Sequence, residues 1–182
     1  AEGWHRYAGQ GHAEVEALKK TDDARGATAY VTLEPCSHFG KTPPCAEALI
    51  EAGVSRVVLA MQDPNPLVAG KGLALLEKAG ISVTCGMMQA DAKALNKGFI
   101  TRMQTGKPYV SSKLAMSLDG RTAMASGESQ WITSEHARQD VQKLRAATGA
   151  VLTGVETVLA DDPGMNVRMQ GVDAVSYTHL RA

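Results

Sequence analysis

Four residues near the start of the chain are of types that do chemistry together. His12 and Glu14 stand in the spacing H-x-E within "GHAEVEA" (11–17), and Cys36 and Cys45 are the two ends of "CSHFGKTPPC" (36–45). Imidazole nitrogen and thiolate sulfur are donors that Zn²⁺ accepts, and three protein donors leave a fourth position for water, the arrangement of a catalytic zinc site. On a regular helix two residues of separation turn a side chain by about 200°. If His12 stands at a helix start, still outside the helical register, Glu14 can instead sit beside that open position without ligating the metal. Zinc lowers the pKa of a water it holds toward roughly 7. Glu14 would take the water's proton and pass it to a leaving group. Each cysteine follows a proline, and a proline-marked helix start would favour thiolate over thiol through the positive end of the helix dipole.

Bland readings compete at each position, since a lone His or Cys is more often a core or surface residue than a ligand. The combination, in this order and with Glu14 between, carries the zinc reading. His38 is the rival fourth ligand, which would close the site into a structural one. Its nearness to Cys36 places it instead in a loop facing a substrate. Cys85, on an expected strand, reads as a buried small hydrophobe.

The elements that must position these residues follow from periodicity. Residues 12–20 read as a short amphipathic helix and "TAYVTLE" (28–34) as a strand. Pro44 fits the first turn of a helix that runs through "CAEALIEAG" and stops at Gly53. A strand "RVVLAM", a turn-rich "QDPNPLVAGKG", a helix "LALLEKAG" and a strand "ISVTCGM" come next, an alternation that predicts an α/β layer with a largely parallel sheet. A single helix is expected over 90–103, ending at Gly106 and Pro108. There the chain divides: residues 1–106 form one domain and 107–171 begin another. The second is expected to hold a strand "YVSSKLAMS", a helix "TSEHARQDVQKLRAAT" capped by Thr133 or Ser134, and a strand "AVLTGV". With fewer than about 80 residues it is expected to be incomplete. Residues 172–182 read as an artefactual tail, with 176–182 resembling translated adapter sequence, and the opening without Met implies a missing N-terminal portion.

Composition narrows the function. Nineteen basic and nineteen acidic residues give zero formal charge, which argues against a dedicated nucleic-acid binder and for a small-molecule partner. Three cysteines make no disulfide framework, and no apolar run reaches the roughly 20 residues of a membrane span, so a cytoplasmic protein is expected.

The segments "HAE" and "EPC" match the H-x-E … P-C-x-x-C signature of zinc deaminases, except that eight residues lie between the cysteines. Together, "HAEVEAL", "TAYVTLEPCSHFGKTPPC", "AMQDPNPLVAGKG", "KLAMSLDGRTAMASGESQWIT", "VQKLRA" and "TVLADDPGMNVR" resemble the bifunctional deaminase/reductase family of riboflavin biosynthesis. The resemblance covers about residues 2–168. It implies a cytidine-deaminase-like three-layer α/β/α domain, followed by an incomplete dihydrofolate-reductase-like α/β domain. It implies hydrolytic deamination of 2,5-diamino-6-(5-phosphoribosylamino)pyrimidin-4-one and then NADPH-dependent reduction of the ribosyl chain to ribityl, the reductase being inactive in a chain of this extent.

Carried onto this chain, the resemblance makes His12, Cys36 and Cys45 the zinc ligands and Glu14 the proton shuttle. Ala115, Trp131, Thr157 and Asp161 fall at positions that contact NADP. Ser129, Arg145, Met165 and Arg168 fall at those holding the phosphoribosyl substrate, Met165 replacing a more usual Leu. Asp63 and Asn65 would help fix the pyrimidine or its ribose phosphate, or else simply cap turns in "DPNP". Lys113 points from the strand of Ala115 and could reach the substrate. The expected cofactors are Zn²⁺ and NADPH, and the expected assembly is a homo-oligomer. Two other classes use parts of the same pattern. A deaminase of bases in nucleic acid would show salt-sensitive oligonucleotide binding, and a non-catalytic zinc module would show four protein ligands.

Overall fold

The computed structural model describes residues 1–7, 9–40 and 42–169; the expected tail at 172–182 lies outside them. The chain divides into two compact units, Ala1–Ser111 and Ser112–Ala182.

In the first unit the order is α1 (Ala13–Leu18), β1 (Thr28–Val31), α2 (Cys45–Glu51), β2 (Arg56–Leu59), α3 (Lys71–Lys78), β3 (Ser82–Cys85), α4 (Gln89–Leu95) and α5 (Lys97–Thr105). The strands form one parallel sheet, β1-β2-β3, in which Tyr30 pairs with Val58 and Val58 with Thr84. This register puts Ala29, Val31, Val57, Leu59 and Val83 on one face. Against that face pack Ala46 and Leu49 of α2 and Leu76 of α3, with Val54 and Ile81 closing the ends of the cluster. Leu49, Leu59 and Leu76 are essentially fully buried, and each contributes about 1.5–3 kcal/mol of transfer free energy. The opposite face carries Thr28, Tyr30, Arg56 and Ser82, all exposed, around the buried Val58 at its centre.

Several boundaries differ from the sequence expectation for physical reasons. Pro44 is the N-cap of α2, with extended backbone, and Cys45 is the first helical residue. The helix expected over 90–103 is two helices meeting at Asn96, whose φ of −109° leaves the helical region and whose Nδ2 donates to the Ala92 carbonyl. An asparagine that competes with the backbone for hydrogen bonds weakens a helix interior. Cys85 is exposed rather than buried, because it is the last residue of an edge strand.

The second unit contains α6 (Glu135–Ala146) and α7 (Val155–Asp161). Of the two expected caps, Ser134 is the N-cap of α6, its hydroxyl accepting from the Ala137 N–H. The segments expected as strands at 109–117 and 150–155 are not strands among the described residues, and α7, which begins at Val155, was not anticipated. A strand exists only through a ladder partner, and no described segment supplies one. Leu118, Leu152 and Leu159 are correspondingly exposed.

Candidate metal centre

Three separate pieces of chain deliver the donors. His12 is the N-cap of α1, with φ −70° and ψ 168°. It stands just outside the helical register, so Glu14, at the second helical position, is not carried around to the far side of the helix. Cys36 lies in the loop after β1, not at a helix start as expected. Its carbonyl accepts from the Ala46 N–H at 3.1 Å, which ties that loop to the first turn of α2. Cys45 opens α2 and is fully buried.

The three donor atoms lie within 4.8 Å of one another. His12 Nδ1 is 3.5 Å from Cys36 Sγ and 3.3 Å from Cys45 Sγ. A tetrahedral zinc with its usual bond lengths would separate imidazole nitrogen from thiolate sulfur by about 3.5 Å. The cluster therefore fits the ion. Among the described residues no fourth His, Cys, Asp or Glu joins it; His38 is exposed and outside the set. Three donors leave a position open, which a closed structural site does not.

The two sulfurs are unequal. The Cys45 thiol and backbone N–H both point at Cys36, with the N–H 3.3 Å from its sulfur. These donors and the nearby His12 hold the Cys36 thiol down to about 5. The Cys45 thiol is pushed up by the bond it makes with Cys36, by burial and by the Glu14 carboxylate. Burial raises the Glu14 carboxyl above its ordinary range; its own N–H and the Cys45 thiol only partly oppose this. A carboxylate with a raised pKa beside an open metal position is suited to taking and returning a proton.

His12, Glu14, Cys36 and Asp63 line one cavity of about 1000 Å³, entirely within the first unit. Asp63 and Asn65 do cap turns: Asp63 Oδ1 accepts from the Asn65 N–H at 2.8 Å, and Asn65 Oδ1 from the Leu67 N–H at 3.1 Å. Sequence reasoning passed over Glu34. It is the sole polar residue in the buried set of the described residues, 4% exposed. Its carboxylate accepts from four backbone amides, of Asp63, Gly70, Gly72 and Leu73, at 2.8–3.4 Å. The one available signal was a charged residue wedged between an apolar strand and the fully buried Pro35.

In the second unit Ser129 and Trp131 line a shared cavity of about 650 Å³ with Ser117 and Arg121. The Arg138 guanidinium lies 4.3 Å from the centre of the Trp131 ring. Arg145 and Arg168 converge on the turn that carries Met165, both donating to the Gly164 carbonyl, at 3.0 and 2.8 Å. Burial, with the Arg168 charge adding to it, lowers the Arg145 pKa. Thr157 and Asp161 lie one turn apart on α7. Neither they nor the half-buried Ala115 line the Trp131 cavity, and Lys113 is exposed.

Comparison with known proteins accounts for both units. Residues 1–61 match the family model described as the cytidine and deoxycytidylate deaminase zinc-binding region, and residues 108–179 match the RibD C-terminal domain. The chain is 64% identical over 173 residues to riboflavin biosynthesis protein RibD of Escherichia coli K12, covering 94% of this chain and 47% of that protein. It is 62% identical over 168 residues to the RibD of Haemophilus influenzae, covering 92% and 45%. A solved structure of Acinetobacter baumannii RibD superposes with a TM-score of 0.88 at 60% identity, covering 94% of this chain and 49% of that one. The Thermotoga maritima diaminohydroxyphosphoribosylaminopyrimidine deaminase/5-amino-6-(5-phosphoribosylamino)uracil reductase gives a TM-score of 0.88 at 44% identity, covering 94% and 50%. The chain spans about half the length of the curated relatives it matches. With an open His-Cys-Cys centre in one unit and the RibD C-terminal match in the other, the chain is similar to RibD riboflavin biosynthesis proteins along both of its units.

Proposed function

We propose that the first unit is a zinc-dependent hydrolytic deaminase acting on 2,5-diamino-6-(5-phosphoribosylamino)pyrimidin-4-one. The observation that carries this reading is the three-donor cluster with Glu14 beside Cys45. His12, Cys36 and Cys45 would hold Zn²⁺, which when bound supplies Lewis-acid activation of water. Glu14 takes a proton from the attacking water and delivers one to the departing amino group. The C–N bond at the 2-position breaks, a carbonyl forms there and ammonia leaves. Glu14 is half-buried on the wall of the cavity, where it can hold the proton between the two transfers. Asp63, on the wall of the same cavity, is placed to accept hydrogen bonds from the amino-substituted ring.

The second half of the reading is NADPH-dependent reduction of the ribosyl chain to ribityl, the hydride coming from the nicotinamide. Ala115, Trp131, Thr157 and Asp161 are proposed on the cofactor side, and Ser129, Arg145, Met165 and Arg168 on the substrate side. Support comes from the pairing of Arg145 with Arg168 around the Met165 turn, since guanidinium groups bind phosphate bidentately, and from the exposed Trp131 ring beside Ser129. A cytoplasmic homo-oligomer that binds no nucleic acid completes the reading. Zero formal charge supports the last point. Among the described residues no helix is long and apolar enough to cross a membrane.

The test is ammonia release from the diaminopyrimidine by the zinc-loaded chain, compared with the same chain after chelation. Release that is lost on chelation and restored by zinc is expected. Zinc binding without any release would refute the reading.

A further inference from the structure

Glu34 poses a question that packing alone does not answer. Burying a carboxylate is costly unless its lone pairs are used, and an apolar residue would fill the same space. Here every partner is a backbone amide of one segment. Oε2 accepts from the N–H groups of Asp63 and Gly70 at 3.1 and 3.0 Å, and Oε1 from those of Gly72 and Leu73 at 2.8 and 3.4 Å. The last two belong to the first turn of α3, where helix donors have no intrahelical partner. Gly72 is pressed so closely onto the Glu34–Pro35 segment that a Cβ would stand 2.1 Å from the Pro35 carbonyl oxygen.

The other side of Glu34 leads to the metal centre. Its own N–H donates to the Met61 carbonyl at 3.1 Å, extending the β1–β2 pairing to the residue two places before Cys36. One side chain thus joins the ligand-bearing loop to the segment that presents Asp63 to the cavity shared with His12 and Glu14.

We infer that Glu34 is a positioning residue for the deaminase site: it fixes the main chain of Asp63 relative to Cys36, so that the Asp63 carboxylate meets the substrate in register with the metal centre. The inference rests on the deaminase reading above. A glutamine keeps the shape but turns an amide NH₂ toward backbone donors, so one pair of the four N–H groups loses its acceptor. The Asp63 end is the free end of the arrangement, because the α3 end is also held by the helix.

The experiment is a double-mutant cycle of Glu34→Gln and Asp63→Ala, read by zinc content and by kcat/KM for ammonia release from the diaminopyrimidine. Glu34→Gln is expected to keep one equivalent of zinc and lose about 10²-fold in kcat/KM, the scale of a 1 Å misplacement. The double variant is expected to be no worse than the poorer single one within about threefold, because one acts through the other. Losses that multiply, or a fall in activity that tracks loss of zinc, overturn the inference. Should Glu34→Gln fail to fold, amide exchange in the zinc-loaded wild type decides: Asp63, Gly70 and Gly72 are expected to exchange with common protection. A fast Asp63 amide beside a protected Gly72 overturns it. A zinc-loaded wild type that releases no ammonia refutes the deaminase reading instead, and the exchange experiment still decides whether Glu34 fixes Asp63.

Discussion

Two helical glycines give opposite answers to the same substitution. Gly72 lies in α3 and Gly98 in α5. In an open helix Gly→Ala stabilises by about 0.5–1 kcal/mol through backbone entropy. At Gly98 nothing stands within 4 Å of the new Cβ, so that gain is expected in full. At Gly72 the Cβ would be 2.1 Å from the Pro35 carbonyl oxygen and 3.1 Å from Glu34 Oε1. Pro35 is essentially fully buried, and a carbonyl cannot rotate away as a flexible side chain can. Overpacking of this kind costs about 1–3 kcal/mol. Separating α3 from Glu34 also weakens the 2.8 Å bond from the Gly72 N–H, a charged-acceptor hydrogen bond worth about 1.5–3 kcal/mol. Against a propensity gain of about 1 kcal/mol, Gly72→Ala should be destabilising by about 2–4 kcal/mol. At about 4 °C per kcal/mol for a unit of this size, the Tm of the zinc-loaded protein should fall by about 8–16 °C, while Gly98→Ala raises it by a few degrees. Thermal unfolding followed by far-UV circular dichroism measures both. If Gly72→Ala melts within about 2 °C of Gly98→Ala, the close approach of α3 to the Glu34–Pro35 segment is wrong.

Glu14→Gln should keep full zinc content while deamination drops by about 10²–10⁴-fold, the usual contribution of a general acid–base group; metal analysis beside an ammonia assay tests this. Cys45→Ala should lose tightly bound zinc and destabilise α2, whose first residue it is, which metal analysis and circular dichroism read together. The pH dependence of zinc affinity has a definite sign. Cys36 is held down to about 5 and so is already a thiolate at neutral pH, whereas Cys45 is raised and keeps its proton. Zinc must displace that one proton, so above about pH 7 affinity rises roughly tenfold per unit; chelator competition showing no slope there would contradict the asymmetry. Ser134→Ala should cost about 0.5–2 kcal/mol by removing the α6 N-cap, measurable as lower unfolding midpoint in urea.

The metal centre was legible because its chemistry resides in side chains. His12, Glu14, Cys36 and Cys45 are residue types with few other uses in that combination, and His12 as a cap explains an H-x-E spacing that a regular helix would not allow. Glu34 was not legible because all four of its partners are backbone amides, which leave no mark on residue identity. The parallel sheet could be read from the strands' β-branched content, whereas 109–117, expected as a strand with Val110 its one β-branched residue, formed none, since pairing belongs to two segments and only one is visible in a local window. Asn96 shows the same limit on the helical side. Apolar periodicity runs through 90–103, and the backbone of one residue, Asn96 at φ −109°, divides it.

The donors of the metal centre are far apart along the chain, with His12 separated from Cys36 by 24 positions and from Cys45 by 33. An ion held by all three would act as a cross-link that removes loop-closure entropy from the unfolded chain. By the relation used for disulfides, a closed loop of this size is worth about 3–4 kcal/mol. The strand β1 lies inside that loop, and the first turn of α2 closes it. Stripping the ion should therefore loosen the edge of the sheet along with the chemistry, so that a site open enough for catalysis also serves as a covalent-like tie for the domain around it.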